Sequence, residues 1–352
     1  MGLIHNITEK NMSQHYNAIL VSNYTLGIGL PYYYYLAFCD VLGKENVHFV
    51  GEESRNYSTA LVQRVKRKVL EKSGKTAQAK LNKIKQALDT QRLNLVILFN
   101  TSNLGLPQIK EIRNWKNIRL LHYISDHPLG MFNPRKDITR ESAPLFDQIA
   151  AFGHNHVPMF YQWGCKQVIR LPFAYCKYTH LYPTKDLEIK HSGQLYYFGT
   201  WTPEVEKWLE HLTGFDLYIE GTHWQFAKNN RLRELGSKKN PSMENNMAIA
   251  ARKAGMVVNF TRAQHACLHS MKTFELAIAG ACVLSNRSHE QLEFFEEDKE
   301  YIFFNTPEEM KEKITYLHSH PNKVLKIKEL AIQKAMPHSY HARVNQWLKE
   351  IK

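Results

Sequence analysis

Short apolar runs alternate with longer stretches of helical spacing along nearly the whole chain. The runs at 18–22, 47–51, 95–100, 118–124, 148–152 and 167–171 read as strands in the first half. Those at 194–198, 216–220, 256–260 and 282–285 do so in the second. Between them, 31–40, 107–115, 157–163, 203–212, 242–254 and 272–280 space their apolar residues as amphipathic helices do, and 307–318, 321–335 and 339–351 continue the pattern. The period changes at Gly, Pro, Asn or Asp. Such alternation predicts parallel sheets covered by helices on both faces. Residues 172–193 break the rhythm with Pro172, Pro183 and many polar side chains, and read as a linker. The predicted organisation is an N-terminal domain over 1–175, a linker over 176–193, a second domain over 194–336, and a last helix within 337–352 that can cross back to the first domain. The fold class is α/β: two Rossmann-like, doubly wound domains facing a cleft, with ligands at the carboxyl ends of the strands.

At 352 residues the chain exceeds what one hydrophobic core usually serves, which supports the two-domain division. No apolar stretch reaches membrane-span length, and polar Asn6, Glu9, Lys10 and Asn11 precede the first strand where a secretory leader would be apolar. Cys39, Cys165, Cys176, Cys267 and Cys282 are scattered, odd in number and without CxxC spacing. A reducing cytoplasm suits them better than a disulfide framework.

The net charge of +13 favours anionic partners. Much of it sits in a helix-prone stretch over 61–90, which Gly74 divides, with Arg64, Lys66, Arg67, Lys68, Lys72, Lys75, Lys80, Lys83 and Lys85. No aromatic residue is interleaved among these for base stacking. A solvated helix face explains them. An acceptor-side patch for nucleic acid, a phosphorylated polymer or an anionic membrane surface is the sharper reading.

The densest chemistry lies in 256–286, where a strand, a polar loop, a helix and a strand follow in order. Phe274, Ala277, Ile278 and Ala281 share one helical face, and Lys272 and Glu275 share the other. A helix N-terminus at a strand end can hold a phosphate, with Lys272 and Arg262 adding charge, and an ionised Glu275 can accept two ribose hydroxyls. From periodicity alone, an exposed Lys–Glu pair on a surface helix explains the spacing at least as well.

Beyond this point the chain resembles a known family. The pairs Phe274-Glu275 and Ala279-Gly280, then Glu300, then His338-Ser339-Tyr340 with Arg343, resemble the C-terminal domain of the CgeB-like glycosyltransferases, part of the broad GT-B group. The resemblance covers about 194–350; over 1–175 it rests on the order of elements. It implies a nucleoside-diphosphate-sugar donor, most simply a UDP-sugar, with Glu275 on the ribose and no cofactor. Two departures stand out. The family's arginine before Phe-Glu is Lys272 here, which keeps charge but not the bidentate fork. Where larger retaining families place an acidic residue, eight positions before the glutamate, this chain has Cys267.

The resemblance also places Gly199-Thr200, after the first strand of the second half, at the donor phosphates, while Gly27 and Gly29 form the matching loop of the first half. A strand ending in Gly-Thr alone is weak evidence, but in register with the other motifs Gly199-Thr200 favours function, whereas an ordinary tight turn explains Gly27 and Gly29 equally well. Asp126, in a Ser-Asp-His-Pro run just past a strand, is the candidate base for the acceptor hydroxyl, and its placement resembles the strand-end aspartate of phage DNA β-glucosyltransferases. Its plainer role is to cap the turn before Pro128. His127 is a further candidate base. The histidine pairs His154/His156 and His318/His320 lack metal-site spacing, and no D-x-D follows a strand, so no metal is expected. Tyr32–Tyr35 can line an acceptor pocket, although consecutive helical rings cannot share one face, so some must be core.

The expected function is metal-independent transfer of a sugar to an acceptor hydroxyl on a glycan, protein, lipid or modified DNA. A nucleotide-sugar epimerase of the same fold, and a nucleic-acid-binding protein using 64–85, are the alternatives.

Overall fold

The computed structural model describes residues 15–27, 29–52, 75–130, 136–189, 192–237, 244–261 and 267–351. The chain divides into two units: Met1–Pro172 with His341–Lys352, and Phe173–Tyr340.

Unit 1 is built on a parallel sheet of six strands: β1 (Tyr16–Val21), β2 (Val47–Val50), β3 (Leu93–Phe99), β4 (Ile118–Ile124), β5 (Gln148–Ala151) and β6 (Val168–Arg170). Their order is β2-β1-β3-β4-β5-β6. β1, β3 and β4 are buried along almost their whole length, which is why they read as unbroken apolar runs rather than alternating ones. The helices are α1 (Gly29–Leu42), α2 (Lys75–Gln86), α3 (Leu106–Arg113), α4 (Lys136–Ser142) and α5 (His156–Gln162). One sheet face packs Ile19, Val21, Val96, Leu98 and Leu120 against Leu81 and Ile84 of α2 and Ile109 and Ile112 of α3. On the other face α1 buries Tyr34 and Phe38, and they meet Trp347 of the C-terminal helix (Tyr340–Glu350). The indole stands 5.9 Å from Tyr34, 6.2 Å from Phe38 and 6.0 Å from Tyr123, and its Nε1–H donates to Gln148 Oε1 at 2.6 Å.

Unit 2 carries a five-stranded parallel sheet of β7 (Leu195–Phe198), β8 (Leu217–Glu220), β9 (Met256–Asn259), β10 (Val283–Asn286) and β11 (Ile302–Phe304), in the order β11-β10-β9-β7-β8. Its helices are α6 (Pro203–Glu210), α7 (Asn230–Ser237), α8 (Glu244–Lys253), α9 (Met271–Ala279), α10 (His289–Phe294), α11 (Pro307–His318) and α12 (Pro321–Ala335). Thr202 and Thr306 cap α6 and α11, each accepting a backbone N–H with a proline at the helix start.

Two expectations need correction. Residues 176–189 do not behave as a linker but are packed into unit 2. They form a π-helical turn (Lys177–Leu181) in which Thr179 and His180 are buried. Arg252 of α8 grips the carbonyl of Leu187 through Nε and Nη2, at 3.1 and 2.9 Å. The polar residues that suggested a linker satisfy one another inside the unit: Thr184 Oγ1 donates to the carbonyl of His180 at 3.2 Å.

The basic stretch is not uniformly a solvated face either. Residues 53–74 lie outside the described residues, but Lys80 on α2 is buried. Its ammonium donates to the carbonyl of Ser22 (2.8 Å), to Asn23 Oδ1 (3.0 Å) and to the carbonyl of Ser102 (3.0 Å). It ties the loop after β1 to the loop after β3, at the switch point of the unit 1 sheet.

Candidate active site

In unit 2 the polar groups gather at the carboxyl ends of the strands. The order reverses between β9 and β7, and that is where an open sheet leaves a crevice. Strands β7 and β8 both run into Gly-Thr pairs, Gly199-Thr200 and Gly221-Thr222. Their pairing continues beyond the strands: the Gly199 N–H donates to the carbonyl of Glu220 at 2.8 Å, and the Trp201 N–H to that of Thr222 at 2.9 Å. The threonine hydroxyls of both pairs are exposed and hydrogen-bonded to each other at 3.0 Å. Buried Trp224 donates its indole N–H to the carbonyl of Gly199 at 3.0 Å, which fixes the turn from below. A Cβ on Gly199 would fall 2.3 Å from the Tyr197 hydroxyl, so any side chain there would displace the Tyr197 ring.

Strand β9 leads to Thr261, whose N–H and hydroxyl are both held by the side-chain amide of Asn286 at the end of β10, at 2.7 and 2.6 Å. Arg262 lies outside the described residues. The chain re-enters α9 through Ser270, whose N–H is accepted by Thr273 Oγ1 at 3.1 Å and whose hydroxyl accepts from Asn259 at 3.3 Å. The Thr273 N–H donates to the carbonyl of Ser270 at 3.1 Å and closes the first turn, where the positive end of the helix dipole lies. Lys272, half-buried, is the second residue of α9. Glu275 is the fifth, just past the first turn, and is buried rather than exposed. The expected division of α9 into a packed face and an open face therefore fails, since Thr273 through Ala279 are all buried.

Two histidines support this region that sequence reasoning did not single out. His269 precedes the helix cap. Its Nε2 accepts the N–H of Phe173 at 3.0 Å, so Nδ1 carries the proton and donates to Glu290 Oε2 at 2.5 Å, with both side chains fully buried. His180 faces Glu275, its Nε2 lying 3.8 Å from Oε1. For the first, the sequence signal is its place in the Cys267-Leu268-His269-Ser270 run that leads into α9. His180 has none.

In unit 1, Gly27 and Gly29 have φ of +100° and +69°, and a Cβ on either would meet nothing within 4 Å. These glycines serve the turn into α1, with open space beside them. Asp126 follows β4, half-buried, and accepts the N–H of His127 at 3.2 Å; His127 Nδ1 in turn accepts that of Leu129 at 3.2 Å. The turn-capping role of Asp126 is thus present in the structure. Asn100, with φ of +46°, bridges to the preceding residue twice, donating to Ser125 Oγ at 2.8 Å and accepting from the Ser125 N–H at 3.0 Å. Ser102 and Asn103 in the same loop also hold positive φ, a strained conformation for side-chain-bearing residues. Of the tyrosine run, Tyr33 and Tyr34 are core, while Tyr32 and Tyr35 are stacked and half-buried.

Residues 203–349 match a family model described as glycosyl transferase-like. Among solved structures, sucrose-phosphate synthase from Thermosynechococcus elongatus is similar over 96% of this chain and 99% of its own, with a TM-score of 0.65 at 10% identity. HepE from Anabaena, in complex with UDP and glucose, has a TM-score of 0.63 at 11% identity over 96% and 99%. The DNA-modifying enzyme β-glucosyltransferase has 0.54 at 10% identity over 95% and 99%. The fold is GT-B. No curated protein shows significant sequence similarity to the chain.

The GT-B fold explains why the scattered motifs occur together. His338 stacks on Phe274, next to Glu275, with ring centroids 4.7 Å apart. The carbonyl of His338 accepts the N–H of Tyr175 and that of Tyr175 accepts the N–H of Tyr340, both at 3.0 Å. Glu300 closes its own loop by accepting the N–H of Glu296 at 2.8 Å. His338, Tyr175 and Tyr340 thus pack behind Phe274, the neighbour of Glu275 on α9. Among the described residues, no helix is long and apolar enough to cross a membrane.

Proposed function

We propose that this protein is a glycosyltransferase of the CgeB-like kind, moving a sugar from a nucleoside diphosphate, most simply UDP, to an acceptor hydroxyl. One observation carries the reading. A buried carboxylate, Glu275, sits on the helix that follows β9 at the β7–β9 switch point, beside a sheet in which β7 and β8 run into Gly-Thr pairs with exposed threonines. An ionised carboxylate there can accept both hydroxyls of a ribose in charge-assisted hydrogen bonds. The donor pyrophosphate lies against the Gly199-Thr200 turn and the start of α9, with Lys272 and Arg262 adding charge. Fixed positive charge there stabilises the departing diphosphate and removes the need for a metal. Asp126 takes the proton of the acceptor hydroxyl, with His127 beside it. Likeness to solved enzymes with UDP bound supports the choice of nucleotide.

The net charge of +13 and the likeness to the DNA-modifying β-glucosyltransferase favour an anionic acceptor, modified DNA among them. Among the described residues all cysteines are free, which fits a cytoplasmic site of action. The test is titration of the full chain with UDP, GDP, dTDP and ADP. UDP should bind best, and Glu275→Gln should weaken it about tenfold or more with folding retained. Equal UDP affinity in that variant would refute the donor site.

A further inference from the structure

We propose that His180 sets the orientation of the Glu275 carboxylate by presenting a fixed, neutral N–H to it, and so acts as a positioning residue for whatever Glu275 binds. The inference rests on the reading of Glu275 as a ligand-holding residue.

The geometry restricts the ring on both sides. Nδ1 accepts the backbone N–H of Cys176 at 3.0 Å, so the proton of the neutral imidazole is on Nε2. That Nε2–H looks toward Glu275 Oε1, 3.8 Å away. The backbone holding the ring is equally constrained, because the N–H of His180 donates to the carbonyl of Cys176 at 2.8 Å and its carbonyl accepts from Thr184 Oγ1 at 3.2 Å. The turn packs on α8 and α9, so His180 reaches Glu275 from outside the helix that carries it. An approach of about 1 Å would bring the pair to hydrogen-bond length, a tightening common when a site fills.

Neutrality matters to the role. Burial pushes the pKa of His180 down to about 3, which favours the uncharged ring. A cationic ring would neutralise Glu275 and compete with incoming hydroxyls. A neutral dipole orients one oxygen and leaves the negative charge available to the ligand.

Two substitutions separate this role from simple packing. The amide oxygen of His180→Asn can take the place of Nδ1 and accept from Cys176, but the side chain is too short to reach Glu275. The longer side chain of His180→Gln can place an N–H where Nε2–H stood. We expect His180→Asn to fold and lose about tenfold in UDP affinity, and His180→Gln to stay within about threefold of the parent. In a Glu275→Gln background the Asn substitution should cost little more. Parent-like UDP binding by His180→Asn, or a larger loss with Gln than with Asn, would overturn the proposal while leaving the donor site intact, provided Glu275→Gln itself weakens UDP. If Glu275→Gln binds UDP normally, the donor-site reading falls and this inference with it.

Discussion

The backbones of Gly199 and Gly221 touch: a Cβ placed on Gly221 would lie 1.8 Å from the carbonyl oxygen of Gly199. That oxygen already accepts the Trp224 indole N–H and cannot retreat without breaking the bond. Gly221→Ala is therefore expected to push the two Gly-Thr turns apart and cost about 1–3 kcal/mol of unit 2 stability. Donor affinity should fall further than the stability loss accounts for. Urea unfolding and UDP titration of the same variant check both, and parent-like values in each would show that the turns tolerate separation.

Asp126 and Asn100 should differ in how they affect turnover. Asp126→Asn removes the proposed base and is expected to lower kcat about 10²–10⁴-fold with UDP affinity unchanged. Asn100→Ala removes the two-way bridge to Ser125 and leaves the carboxylate. Its kcat should drop less, about tenfold, through misplacement of the Asp126 turn. If Asp126→Asn keeps parental turnover, another group is the base.

Acid should destabilise both units. His122, buried in β4 with its ring 4.5 Å from that of Phe146, is pushed down to about 3 by burial, as is His180. Each is neutral when folded, whereas the unfolded chain binds a proton below about pH 6.5. The unfolded state then holds more protons, so stability is lost as pH falls from about 6.5 toward 3. At pH 5 each histidine accounts for about 2 kcal/mol. His122→Phe should flatten the loss between pH 7 and pH 5 by that amount in urea unfolding. Parallel pH profiles for variant and parent would contradict it.

The two-sheet plan was legible in the sequence because buried parallel strands are continuous apolar runs, as in Ala18 through Val21 and Leu95 through Phe99. The motif residues around Glu275 were picked out by family resemblance rather than by periodicity, and the structure packs His338 on Phe274 beside it. What escaped notice depends on partners distant in sequence. Lys80 looks like its neighbours Lys83 and Lys85, and only three acceptors from two other loops distinguish it. His180 sits in a polar, proline-containing run that composition assigns to a linker. The same segment is tied to Arg252, more than sixty residues away, which holds the carbonyl of Leu187.

Trp347 closes the ring cluster of unit 1 from the far end of the chain. Trp347→Ala should cost unit 1 about 3–5 kcal/mol. Scanning calorimetry should show its transition moved down while that of unit 2 stays. A shift of both transitions together would mean that the units melt as one.

The same indole imposes an order on biosynthesis. Unit 2 is one continuous segment, complete once Tyr340 has left the ribosome. Unit 1 is made first but lacks the Trp347 indole until residues 341–352 appear. The N-terminal unit must therefore wait, with Tyr34, Phe38 and Tyr123 uncovered, while the rest of the chain is synthesised. A nascent chain stalled before residue 341 should be a chaperone client through its N-terminal unit.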